Sequence, residues 1–125
     1  MIRIIATVVV LACAFALPAR AGAPDYDTAM TPYHTAFDAA LNDMAAANRL
    51  TLVHDRAGAC MALSAAVTDF GNAATALDAV LGALARDTNL DEAKRAGLSA
   101  QTQQARDVAQ QNADDARAYH DQLCQ

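Results

Sequence analysis

With 125 residues, a net charge of −5 at neutral pH and 54% hydrophobic residues, the chain has material for one small domain. Its acidic balance argues against nucleic acid and anionic lipid as partners, since both call for positive charge. Aromatic residues make up only 5% and tryptophan is absent, so a core must be thin and built mainly from small aliphatic side chains.

The N-terminus reads Met1-Ile2-Arg3, then an apolar run from Ile4 to Leu17, then Pro18-Ala19-Arg20-Ala21. One positive residue, an apolar stretch of about 14 and small residues at the −3 and −1 places compose a secretory signal of the bacterial type. Cleavage is expected after Ala21, because a cut after Ala23 would leave Pro24 at the +1 place. Residues 1–21 are thus read as a cleaved signal peptide and residues 22–125 as a single domain, periplasmic or secreted. The run is shorter than the roughly 20 residues a membrane span needs, and no second run follows. Val10-Leu11-Ala12-Cys13 offers another reading, a lipid anchor on Cys13, although the apolar run continues past the cysteine. Losing Arg3 and Arg20 with the signal leaves seven basic residues against fourteen acidic ones.

After the signal, alanine supplies about a quarter of the residues and no stretch alternates with the period of a strand. A first helix is expected from Thr31, with the hydroxyl as cap and Pro32 at the first helical position. Tyr33, Phe37, Leu41 and Met44 form its apolar stripe, which fades near Asn48-Arg49. Residues 50–57 read equally as a loop or as the first turn of the next helix. A second helix carries Cys60, Leu63, Val67, Phe70, Ala74, Leu77, Leu81 and Leu84, a heptad seam that ends near Arg86-Asp87. Gly71 and Gly82 share one of its faces, marking either a close helix approach or ordinary surface positions. Asn89 with Glu92 resembles a capping box for a short helical turn ended by Gly97. A third long helix is predicted from about Ser99 to Leu123. Its seam is small and polar: Leu98, Thr102, Ala105, Ala109, Asn112, Ala116, Tyr119 and Leu123.

Two cysteines survive processing, Cys60 and Cys124, and an even pair in an oxidising compartment reads as a disulfide. In an antiparallel hairpin, facing positions share a constant sum of residue numbers. The cysteines give 184, which centres the turn on residue 92, inside the segment that the capping signals mark out. The expected fold is all-α: a small up-down-up helical bundle built on a long antiparallel hairpin whose open end is tied by the disulfide.

Catalytic sets are lacking. The only serines are Ser64 and Ser99, and neither sits in a Gly-x-Ser-x-Gly turn. No glycine-rich phosphate loop, His-Glu-x-x-His or paired Cys-x-x-Cys is present, so no enzymatic activity is expected. Three histidines raise metal binding. Met30 and His34 lie one helical turn apart with Asp38 a turn further, a thioether–imidazole spacing that suits copper(I). The hairpin would gather His54, Met61 and His120 near the disulfide end, and reduced Cys60 and Cys124 with His120 would make a zinc set.

The C-terminal Ala118-Tyr119-His120 resembles the histidine-ligand region of the cytochrome b562 family. Met30, followed by Tyr33 and Phe37, is similar to that family's methionine-ligand region near the start of the first helix. The resemblance implies haem held between Met30 and His120 in a bundle of four comparable helices. The cysteine pair and the C-terminal Asp121-Gln122-Leu123-Cys124-Gln125 depart from the family, and an up-down-up bundle would place Met30 and His120 at opposite ends. Leu98-Ser99-Ala100-Gln101 is similar to the Leu-Thr-x-x-Gln motif of small periplasmic stress chaperones, with different spacing. By elimination, the expected function is protein–protein interaction with an unidentified protein partner, as an inhibitor, immunity protein, chaperone or assembly factor. Haem or copper binding is the alternative.

Overall fold

The computed structural model describes residues 24–125; the expected signal, its cleavage site and Cys13 lie outside them. Among the described residues four helices follow one another: α1 (Pro24–Ala29), α2 (Thr31–Leu52), α3 (Arg56–Arg86) and α4 (Glu92–Leu123). There is no strand among the described residues, and none of their helices is long and apolar enough to cross a membrane.

The six-residue α1 is an addition to the predicted elements. Pro24 opens it with a preset φ, and Asp25 and Asp27 in its first turn favour the positive end of the helix dipole. Thr31 does not cap α2 as expected. The capping place falls to Met30, whose side chain makes no cap bond, while the Thr31 hydroxyl donates to the Asp27 carbonyl at 3.5 Å. The reason lies in α1: its backbone already serves the start of α2, with Met30 N–H on Tyr26 O at 2.9 Å. Pro32 interrupts the ladder between the two helices, because it has no N–H and its ring crowds the preceding turn.

α2 enters the ambiguous segment 50–57 only as far as Leu52 and stops there in a Schellman motif, residues 56–57 opening the next helix. Asp55 N–H bonds to Leu50 O at 2.9 Å and His54 N–H to Thr51 O at 3.1 Å. His54 holds the left-handed position of this motif, with φ 61°. The next residue, Asp55, caps α3 by accepting the Gly58 N–H at 2.9 Å. A three-residue link thereby reverses the chain.

α3 is the central helix and packs against both α2 and α4. Its buried stripe runs Ala59, Leu63, Ala66, Phe70, Ala73, Leu77, Val80 and Leu84, with Ala74 beside it. Compared with the predicted seam, the face is rotated toward Ala59, Ala66, Ala73 and Val80, leaving Cys60, Val67 and Leu81 half-buried. A helix flanked on two sides must bury a wider face than a two-helix seam provides. Tyr33 and Phe37 of α2 stack toward it, with Phe37 meeting Phe70 edge-on at 5.4 Å. Burying a phenylalanine this completely contributes roughly 1.5–3 kcal/mol. Burial, with Asp38 nearby, pushes the Tyr33 phenol above its ordinary pKa.

α4 buries the middle of the predicted seam, Thr102, Ala105, Ala109, Asn112 and Ala116, and adds Ala113, while Leu98, Tyr119 and Leu123 are half-buried. Its start differs from expectation. Asp91, not Asn89, caps it by accepting the Lys94 N–H at 2.7 Å, while the Asn89 N–H turns back onto the Asp87 carboxylate. Gly97 therefore ends nothing and sits inside one continuous helix of 32 residues. Arg95 fastens the α3–α4 turn by donating to the carbonyls of Asp87 and Leu90. The register is the expected one: Cys60 and Cys124 are bonded, and Asp78 meets Arg106 at 2.5 Å, a pair sharing the same sum of residue numbers. Gly71 marks no close approach, since a Cβ there would meet nothing within 4 Å, and one at Gly82 would meet only Arg86 of its own helix.

Candidate functional site

The start of α3, the end of α4 and the α2–α3 link meet at one end of the bundle. Cys60 and Cys124 join α3 to the residue after α4, with their Cα atoms 5.8 Å apart. One turn before the disulfide, Arg56 reaches across and donates from Nε to Leu123 O at 2.5 Å and from its terminal nitrogen to Gln125 O. The guanidinium supplies donors to carbonyls beyond the reach of helical bonding, at the helix end where positive charge is favoured. Backbone, disulfide and arginine together make this the most cross-linked part of the described chain.

It is also the part that presents apolar side chains to water. Leu52 is 71% exposed, Val53 70% and Met61 76%, the three exposed large hydrophobics among the described residues. Leu52 and Val53 face outward because the Schellman turn carries the last residues of α2 past the end of the core. Met61 follows Cys60, whose bond to α4 turns the next position away from the α3–α4 seam. A shallow groove lined by Thr51, His54, Arg56 and Leu123 lies beside the link. A second depression runs along α3, lined by Met61, Ser64, Ala65, Thr68 and Asp69.

His54 belongs to the first groove and Met61 to the second, while half-buried His120 lies 3.4 Å from its neighbour Asp121. With Cys60 bonded to Cys124, no thiolate is left for a zinc set with His120. No three His, Cys, Asp or Glu side chains among the described residues are placed to hold a metal ion. Met30 is buried in the core, whereas His34 and Asp38 face solvent, so the proposed copper spacing is split between two faces. Met30 and His120 also stand at opposite ends. The 22 residues of α2 separate Met30 from the disulfide end, roughly 33 Å at 1.5 Å per residue. One haem iron cannot take both as ligands in this fold.

Two polar pairs between helices, Asp43–Asp69 and Tyr26–Thr102, escaped the sequence reading. Asp43 of α2 and Asp69 of α3 meet across the helix interface; partial burial and the hydrogen bond to Asp69, with its charge, hold the Asp43 carboxyl above its ordinary pKa. The pair is 26 positions apart and becomes visible only when the α2–α3 register is known. Asn112 is buried in the alanine seam, and its side-chain N–H₂ has no hydrogen-bond partner among the described residues. At the other end of the bundle, the Tyr26 and Thr102 hydroxyls bond at 2.9 Å. Thr102 donates its own proton to Leu98 O at 2.7 Å, so Tyr26 is the donor to Thr102. Comparison of the chain with models of known families, with curated proteins and with solved structures finds no match.

Proposed function

We propose that this is an exported, non-enzymatic helical protein that works by protein–protein contact, with the disulfide-tied end as its contact surface. The observation that carries the reading is that Leu52, Val53 and Met61, the exposed large hydrophobics among the described residues, all lie toward the end tied by the disulfide. A backbone already fixed by the disulfide spares the ordering cost a mobile segment would add, so covering these apolar side chains costs mainly their own rotamer freedom. Elsewhere the described surface is dominated by acidic and amide side chains, as along α4, where Gln103, Gln110 and Gln111 pair with Asp107, Asp114 and Asp115. Such a face keeps the protein soluble and offers little for a partner to bury. The signal sequence supports a periplasmic or secreted setting, in which the disulfide persists.

Affinity capture from the native periplasm, run in parallel with the wild-type chain and a Leu52→Asp/Met61→Asp variant, tests the proposal. A protein retained by the wild type and lost with the variant is the expected result. Recovery of no partner above background, or equal recovery by both chains, would count against it. Both substitutions fall on exposed side chains, so an unchanged melting temperature verifies that the variant is folded.

A further inference from the structure

We infer that α1 is a hinged strap, lifting from the bundle as a unit while α2, α3 and α4 stay folded. Isolated helices shorter than about 12 residues are marginal in water. With six residues, α1 persists only while it is docked. Its docking uses two buried side chains, Tyr26 and Met30, and the hydrogen bond from the Tyr26 hydroxyl to Thr102. Its packing leaves room at the edge: a partly open depression of about 70 Å³ lies between Tyr26 and Ala29 on one side and Val80, Leu84 and Leu90 on the other.

The sequence also supplies the hinge. Pro32 cannot donate the N–H that would carry the helical ladder from α1 into α2. Past that point α2 has its own buried stripe, from Tyr33 to Ala47, and packs along α3 independently of α1. Lifting the strap uncovers Val80, Leu84 and the Thr102 hydroxyl. That is a largely apolar floor with the Thr102 hydroxyl as its anchor and Asp87 at its edge, at the end of the bundle away from Leu52, Val53 and Met61. The strap thus gates a second apolar surface that the docked form conceals.

Native-state amide exchange on the full mature chain, read residue by residue by NMR, decides the matter. The Met30 amide, bonded to Tyr26 O, should exchange at least about tenfold faster than the amides of central α3, as expected for a locally opening unit. Tyr26→Phe should speed α1 exchange about fivefold, the equivalent of one net hydrogen bond, and leave α3 unchanged. Thr102 keeps its bond to Leu98 O in that variant, so no donor is stranded. Pro32→Ala restores the missing N–H and should slow α1 exchange toward the α3 rate. Exchange of Met30 at the α3 rate in the wild type, equal acceleration of both helices by Tyr26→Phe, or α1 exchange unaffected by Pro32→Ala would overturn the strap.

Discussion

Removing the disulfide is the perturbation with the largest expected effect on stability. Cys60 and Cys124 are separated by 64 positions, so their bond closes a loop that spans almost all of α3 and α4. Loop-closure entropy assigns such a cross-link about 4 kcal/mol. A domain of this size has roughly 5–15 kcal/mol in total, so the loss is a large share of it. The 102 described residues imply an unfolding entropy near 0.2 kcal/mol per kelvin, and the melting temperature should fall by about 20 °C. Arg56 still holds the carbonyls of Leu123 and Gln125 when the bond is cut, which limits fraying of the native state. The loss should therefore act mainly through the unfolded chain. The assay is thermal unfolding followed by far-ultraviolet circular dichroism on the oxidised wild type, the reduced wild type and a Cys60→Ala/Cys124→Ala variant. The last two should melt together, well below the first, with the same helical signal at low temperature. A fall of less than about 5 °C, near 1 kcal/mol, would refute the reasoning.

Three further substitutions follow from the geometry. Gly97→Ala should stabilise the protein by about 1 kcal/mol, because the position is helical, exposed and open to a Cβ, and denaturant titration measures the gain. His54→Gly should stabilise by about 1 kcal/mol as well, since the left-handed φ of 61° costs an L side chain what it does not cost glycine; a lower midpoint would assign the imidazole a structural contact. Asp43→Asn should raise stability by a few tenths of a kcal/mol at neutral pH, on the scale of other like-charge pairs between neighbouring helical positions. The folded Asp43 pKa lies above its ordinary 3.8, so the wild type carries a penalty at neutral pH that is relieved as pH falls through the raised value toward 3.8. The advantage of the variant should disappear over that acidic window, and a gap that persists below it would rule out the carboxylate pair as the cause.

The hairpin could be read from the sequence because two independent signals met: the cysteine positions fixed a register, and the capping residues near 88–97 marked a turn. Asp78 and Arg106 then fell into place on the same register without having been used to derive it. What failed was local. Asn89 and Gly97 carry the chemistry of a cap and a stop, yet Asp91 out-competes Asn89 for the capping place, and packing on α3 carries the helix through Gly97. Thr31-Pro32 looked like a fresh start because a proline near a helix N-terminus reads the same whether or not another helix precedes it. The pairing of Asp43 with Asp69 depended on how α2 lies along α3, whereas the separation of Met30 from His120 already followed from the up-down-up helix order. His54 illustrates the difference for function: it stood out as a metal candidate by residue type, while its backbone shows it serving the turn.

The contact surface is tested most directly by a photo-reactive amino acid placed at Met61 in cells exporting the protein from its native context. Its counterpart is the same residue at Gln104, exposed on α4. A discrete cross-linked protein at position 61, absent at position 104 and lost with Leu52→Asp, is the result expected of a protein that works through its disulfide-tied end. Cross-linking at position 104 alone, or at neither position, would contradict it.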